Sequence, residues 1–303
     1  MPRKRSDEIL SELAAADDRL QTKPIGIWSL WKLARLLLYF KAFTTACKSV
    51  GGGYYVDGFA GPGLCRVRNA QPLPYFAWGS PMLALRASPK FEKCFLVELN
   101  ERSANTLATR CLAFGDRAAV HQQDANIEVA RIVRENVPPW APCFCLFDQQ
   151  GTELIWDTLL RVARTPRSGN KPELLILFPL RMSLLRMLSV HQQLTTTAAN
   201  RMSESFGTSE WRRIYEERVR GDITPSEAQI RYLGLYCERL KGLGYRVQSQ
   251  VITAPRSQGM ARQEMYHLVF ATESDLGEKI MKDVFRRPYA LDFPVTAQTR
   301  LFD

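Results

Sequence analysis

Between residues 54 and 180 short apolar runs alternate with amphipathic stretches of helical period. The apolar runs are Tyr54, Tyr55 and Val56, closed by Asp57 and Gly58, then FLVELN (95–100), AVHQQD (119–124), CFCLFDQQG (143–151) and ELLILFPL (173–180). The intervening stretches read as helices: PMLALRAS, with Ser80 as N-cap and Pro81 in the first turn, ERSANTLATRCLAF, ANIEVARIVRENV and ELIWDTLLRVAR. Continuous rather than alternating apolar strands, each followed by a helix, predict a parallel sheet covered on both faces. Ahead of them, residues 6–20 read as a capped acidic helix. Apolar positions 27, 28, 30, 31, 34, 37 and 38 mark a second helix, ended by Gly51, Gly52 and Gly53.

The rhythm changes after residue 180. Helical patches without a clear strand fill 181–225, a long amphipathic helix ends at Gly242 and Gly244, and two strands (YRVQSQVITA, MYHLVFAT) precede a last helix, DLGEKIMKDVF. The expected fold is α/β, with a mostly parallel seven-stranded sheet, an antiparallel edge strand and a helical insert. Its parts are an N-terminal helical segment (1–50), the core (51–180), the insert (181–225) and a completion of the core (226–303). Residues 64–78 read as a loop.

Charge and cysteine usage narrow the class. The 303 residues carry a net charge of +10, which favours an anionic partner such as nucleic acid. The seven cysteines form no CxxC pair and lack metal-ligand spacing, so they read as reduced thiols in a cytoplasmic core, with no metal expected. Lys32 and Arg35 interrupt the most apolar helical segment, which is too short to span a bilayer, so no membrane partner is expected. PRKRSDE leads into polar sequence rather than an apolar run, so no signal peptide is expected either.

The candidate chemistry lies at the strand ends. After Asp57, the segment GFAGPG brings Phe59, Gly61 and Gly63 to a place where the backbone can approach a ligand closely. In open α/β sheets ligands bind beyond the carboxyl ends of the strands. Glu98, Asp124 and Asp148 end the next three strands, so four acidic residues close four successive strands. Asp124 has a second reading as N-cap of the helix starting at Ala125, and Asp148 one as partner for an arginine or as a cap. The glycines do not complete the GxGxxG of a dinucleotide fold.

This order and these strand ends resemble the class I S-adenosylmethionine-dependent methyltransferases. The resemblance implies a Rossmann-like fold with S-adenosylmethionine as cofactor, held by Asp57, Phe59, Gly61, Gly63, Glu98 and Asp124. It puts Gly61 and Gly63 beside the methionine part, Glu98 on the ribose hydroxyls, Asp124 on the adenine amino group and Asp148 next to the reactive methyl. At a finer level YYVDGFAGPG, GSPMLAL, FLVELN, the aspartate of LFDQQG, FG followed by SEW, and YHLVFAT make residues 28–286 similar to the three-Cys-motif partner protein (TcmP) family. That resemblance implies a three-Cys-motif protein as partner, the cysteine motif belonging to that neighbour. Relatives show DPFG where this chain has Asp148, Gln149, Gln150 and Gly151, the candidate catalytic turn. Without proline or aromatic the turn lacks the base-stacking element of amino-directed methyltransferases, and neither glutamine is a strong general base.

Arg66, Arg68, Tyr75 and Trp78 mix cations with aromatics, a pairing that suits phosphate contact and base stacking and nominates them for substrate binding. Arg212, Arg213, Arg218 and Arg220 form a second basic group. Arg256, Arg262 and Lys282 add charge near the last two strands. Trp28 and Trp31 read as core. The expected activity is methyl transfer to a nucleic-acid base. Two alternatives stay open: a non-catalytic partner protein that keeps the fold, and a nucleotide-binding enzyme of another class with a role in defence.

Overall fold

A computed structural model describes residues 6–68, 70, 74–180, 188, 194–254 and 263–286. The segment 181–187, Arg256, Arg262 and His191 lie outside the described residues. Among the described residues ten strands form two sheets. The larger is built from β2 (Tyr54–Asp57), β5 (Lys93–Val97), β6 (Ala118–His121), β7 (Cys143–Phe147), β8 (Glu173–Phe178), β9 (Arg246–Ala254) and β10 (Gln263–Thr272), in the order β6-β5-β2-β7-β8-β10-β9. Six strands run in one direction, and β10, between β8 and β9, runs antiparallel to both. Counted in chain order within this sheet, the sequence is 3-2-1-4-5-7-6. The fold is the Rossmann-like class I methyltransferase architecture, with the antiparallel strand one place in from the edge.

Strand β2 sits centrally because both of its faces are apolar. Tyr55 and Val56 are fully buried and belong to the two separate cores on the two faces of the sheet. On one face lie α2 (Ile27–Ala46), α3 (Ser80–Leu85), α4 (Glu101–Cys111) and the last helix, Asp275–Arg286. An aromatic cluster holds this side: the Phe40 ring stands edge-on to Tyr55, Phe91 and Phe144 at centroid distances of 5.0, 5.4 and 5.8 Å. On the other face lie α5 (Ala125–Glu135), α6 (Trp156–Ala163), α7 (Thr196–Phe206), α8 (Trp211–Arg220) and α9 (Pro225–Gly242), which makes the last helix α10. The insert is part of this core, with Phe206 and Trp211 fully buried and Phe178 stacked on Tyr236 at 4.5 Å.

Two expectations need correction. The first helix, α1, spans only Ser6–Leu13 instead of 6–20. Beyond it the Ala15 N–H donates to the Phe76 carbonyl (3.0 Å), and Asp17 and Asp18 accept from the backbone N–H groups of Arg19 and Leu20. Short acidic side chains offer the backbone turns that compete with a helix. The segment 64–78 is not simply a loop. It contributes β3 (Leu64–Val67) and β4 (Phe76–Trp78), which with β1 (Lys23–Ile25) form a small three-stranded sheet beside the strand ends. In addition, the N-cap of α3 is Gly79, with Ser80 and Pro81 already inside the helix.

One buried carboxylate ties three elements together. Glu173, at the start of β8, accepts hydrogen bonds from Tyr39 Oη on α2 and from Thr272 Oγ1 at the end of β10 (2.8 Å). Burial pushes its pKa up. Removing one donor leaves an under-satisfied buried acid, so Tyr39→Phe is expected to lower the unfolding free energy by ~1–3 kcal/mol in urea titrations. An unchanged midpoint would contradict this role.

Candidate functional site

The turn after β2 is tied down from all sides. Asp57 is fully buried, and its carboxylate accepts from Tyr55 Oη (2.7 Å) and the Phe59 N–H (3.2 Å), with the Ser80 hydroxyl as a further donor. Burial raises its pKa to about 6, and the nearby Asp148 charge pushes in the same direction. Asp57 therefore braces the turn from beneath and lines neither of the pockets above it. Gly61 and Gly63 have φ of 65° and 92°, a region that disfavours side chains. A Cβ on Gly63 would also lie 3.0 Å from Leu107 Cδ1. The Gly63 carbonyl accepts from the Gly79 N–H at 2.8 Å, and Arg110 donates to the Pro62 carbonyl.

The remaining strand-end acids follow. Glu98 accepts from the Gly61 N–H with Oε2 and from the Asn100 N–H with Oε1, both at 2.8 Å. Each oxygen retains a second lone pair for a ligand. Asp124 caps α5 by accepting from the Asn126 N–H (2.8 Å), and it also lines the same pocket as Glu98. Asp148 is buried in an ion pair with Lys32 of α2, not with an arginine. Gln149 is buried and held at both ends: its amide donates to the Leu177 carbonyl (3.1 Å) and accepts from the Leu154 N–H (2.9 Å). Gln150 is exposed and makes no hydrogen bond among the described residues.

Two adjoining pockets open over these strand ends, sharing Lys23, Phe59, Asp148 and Gln150. The larger, of about 680 Å³, has Glu98, Glu101, Asp124, Asp148 and Glu153 on its walls against only two cations, Lys23 and Arg201. The smaller, of about 270 Å³, reverses the balance, with Lys23, Lys32 and Arg68 against Asp148. Trp28, Leu177 and Tyr266 give it an apolar and aromatic wall. A Cβ on Gly26 would sit 2.3 Å from the Trp28 ring, so only glycine lets this indole fold back as it does. Burial, then the Asp148 charge, pushes the Tyr266 phenol up.

Of the residues nominated for substrate, only Arg68 reaches a pocket. Arg66 is exposed on β3, Tyr75 is exposed and edge-on to Phe76, and Trp78 lies under the Arg86 guanidinium at 4.7 Å. In α8, Arg213 pairs with Glu217, Arg220 with Asp222, and Arg212 lies over Trp211. Sequence reasoning missed Lys23, Lys32, Trp28 and Tyr266. The one available signal was Lys32 within a strongly apolar helix. Among the described residues no His, Cys, Asp and Glu group is placed to hold a metal ion, and no helix is long and apolar enough to cross a membrane.

No protein-family model matches the chain, and no curated protein matches it. Similar solved structures include a precorrin-6y C5,15-methyltransferase from Geobacter metallireducens, at 13% identity over 87% of this chain and 95% of that one, with a TM-score of 0.40. An S-adenosylmethionine-dependent O-methyltransferase from Thermotoga maritima shares 12% identity over 89% and 71%, with a TM-score of 0.39. A Legionella pneumophila protein shares 8% over 83% and 88%, with a TM-score of 0.49. The fold assignment rests on the strand order itself and not on these likenesses.

The raised pKa of Asp57 has a defined consequence for stability. A carboxyl that binds its proton more tightly when folded stabilises the fold at low pH, and that contribution is lost as pH rises from 3.8 to about 6. Asp57→Asn removes the titration while keeping an acceptor for the Phe59 N–H. The unfolding free energy of wild type minus variant is therefore expected to fall across that window in urea titrations, and a constant difference would contradict the assignment.

Proposed function

We propose that the cleft binds S-adenosylmethionine and that the chain transfers its methyl group to a base of a nucleic acid. The observation that carries the reading is the opposed charge of the two pockets. With Asp148 already paired to Lys32, four further carboxylates against two cations disfavour a phosphate in the larger pocket, which speaks against a dinucleotide or a nucleoside triphosphate there. The same acceptors suit an unphosphorylated nucleoside, with Glu98 for paired ribose hydroxyls and Asp124 for an exocyclic amine. The cationic excess of the smaller pocket suits the carboxylate of an amino-acid moiety, with Lys23 and Arg68 as its partners. An adenosine joined to a methionine has this charge pattern.

When bound, the cofactor supplies an electrophilic methyl group on a positively charged sulfur. The chain's part is to bind and orient. The pinned turn from Gly58 to Gly63 gives a rigid floor that fixes the cofactor, and an acceptor held in line with its methyl group gains much of the rate from proximity. Gln150, at the seam of the two pockets, is the free amide able to hydrogen-bond a base. The net charge of +10 and the exposed Arg66 and Tyr75 beside the cleft support a nucleic acid as acceptor. Seven free thiols support a reducing, cytoplasmic setting.

A second reading keeps the cofactor and drops the transfer. The closed Asp148–Lys32 pair and the internally bonded Gln149 amide favour it, because two residues of the turn that would grip an acceptor are held by internal bonds. A protein partner of the three-Cys-motif type then replaces the methyl acceptor. Calorimetry followed by transfer of labelled methyl groups to DNA and RNA separates the two. Binding at micromolar to millimolar ligand with transfer supports the first, binding alone the second, and no binding at millimolar ligand contradicts both. Glu98→Ala is expected to weaken cofactor binding by ~1–3 kcal/mol, and an unchanged affinity would remove Glu98 from the site.

A further inference from the structure

Lys32 occupies an unusual position for a lysine. It lines the smaller pocket, where its buried ammonium is ion-paired with Asp148, and both residues are less than a tenth exposed. Asp148 is the only acidic side chain on the smaller pocket among the described residues, and it also lines the larger one. Lys23 lines both pockets as well. The charged side chains shared by the two pockets are therefore Lys23 and Asp148, and with Lys32 paired to Asp148 from the smaller pocket the three carry a net charge of one positive unit. Asp57 lies behind Asp148 and feels its charge, but its oxygens are taken by Tyr55, Phe59 and Ser80.

We infer that Lys32 determines which charge form of the ligand the cleft holds, by withdrawing Asp148 from a cationic centre at the seam. The inference rests on reading the cleft as an S-adenosylmethionine site. In that reading the adenosine fills the larger pocket and the amino-acid end the smaller, so the sulfur that joins them crosses the seam. S-adenosylmethionine carries a positive sulfonium at this point, and its demethylated product, S-adenosylhomocysteine, carries a neutral thioether of nearly the same shape. A free Asp148 would attract the sulfonium and favour the methylated form. An Asp148 neutralised by Lys32, with Lys23 beside it, gives the sulfonium no net attraction and leaves the thioether unaffected. The cleft as built therefore holds the neutral form at least as tightly as the cation. Lys32 acts here through Asp148, as a specificity-determining residue.

The test is the ratio of two dissociation constants, S-adenosylmethionine over S-adenosylhomocysteine, measured by calorimetry on the full chain. A ratio is insensitive to general loosening of the cleft, since both ligands share every group except the methyl and its charge. The expected wild-type ratio is one or greater. Lys32→Gln keeps a donor to Asp148 but removes the charge, and the ratio is expected to fall by about tenfold or more. Asp148→Asn leaves both lysines unopposed and is expected to move the ratio in the opposite direction, a sign change that a purely structural role does not produce. Lys32→Met repeats the charge removal without the hydrogen bond; should it fail to fold, the Gln and Asn variants still decide the question. Binding of both ligands with the same ratio in all variants overturns the inference alone, as does a shift of the same sign in Lys32→Gln and Asp148→Asn. Absence of binding by either ligand to the wild type overturns the cofactor reading, and the inference with it.

Discussion

The floor of the cleft exists because two carboxylates hold one turn. At the end of β2 the backbone leaves the sheet and must expose N–H groups that no strand can satisfy. Asp57 takes the Phe59 N–H from below, and Glu98, from the neighbouring strand, takes the Gly61 N–H from the side. The Gly63 carbonyl and the Gly79 N–H close the far end. With positive φ at Gly61 and Gly63 the chain can follow no smoother path, and no side chain rises into the space above. The two pockets, their shared wall at Phe59 and the reach of the other strand ends all refer back to this fixed turn.

Electrostatics then divides the space the turn creates. The sheet delivers acidic residues at the ends of β5, β6 and β7, while the N-terminal segment delivers Lys23 and Lys32 from above. Where the two sets meet, Asp148 and Lys32 cancel. A buried pair of this kind contributes little net stability, since desolvation offsets most of the attraction, but loss of either partner is costly. Its consequence is local: it fixes the charge seen by a ligand that spans both pockets. Beside it in the same turn, Gln149 is held by the Leu177 carbonyl and the Leu154 N–H.

The sheet was legible because its strands are buried on both faces, and continuous apolar runs such as CFCLF and ELLILF have few other uses. Glu98 and Asp148 were legible for the same reason, each being the first polar residue after a buried strand. What escaped were features decided by distant contacts. The small sheet has strands of three and four residues, one of them containing Pro24, and their pairing follows from the fold around them. Residues 14–20 have helical composition, yet the Ala15 N–H finds Phe76 instead. Lys32 and Asp148 are 116 residues apart, and no local pattern announces that they meet. Asp57 was identified as a site residue; its burial beneath the turn, which makes it a brace, depends on Tyr55 and Ser80 from two different elements.

A crystal structure of the chain grown with S-adenosylhomocysteine tests the central claim most directly. The account predicts the ribose hydroxyls within hydrogen-bond distance of Glu98, the adenine in the carboxylate-lined pocket beside Asp124, and the amino-acid carboxylate toward Lys23. Adenosine density in the smaller pocket against Trp28 and Tyr266, or a ligand bound away from the strand ends, would contradict it.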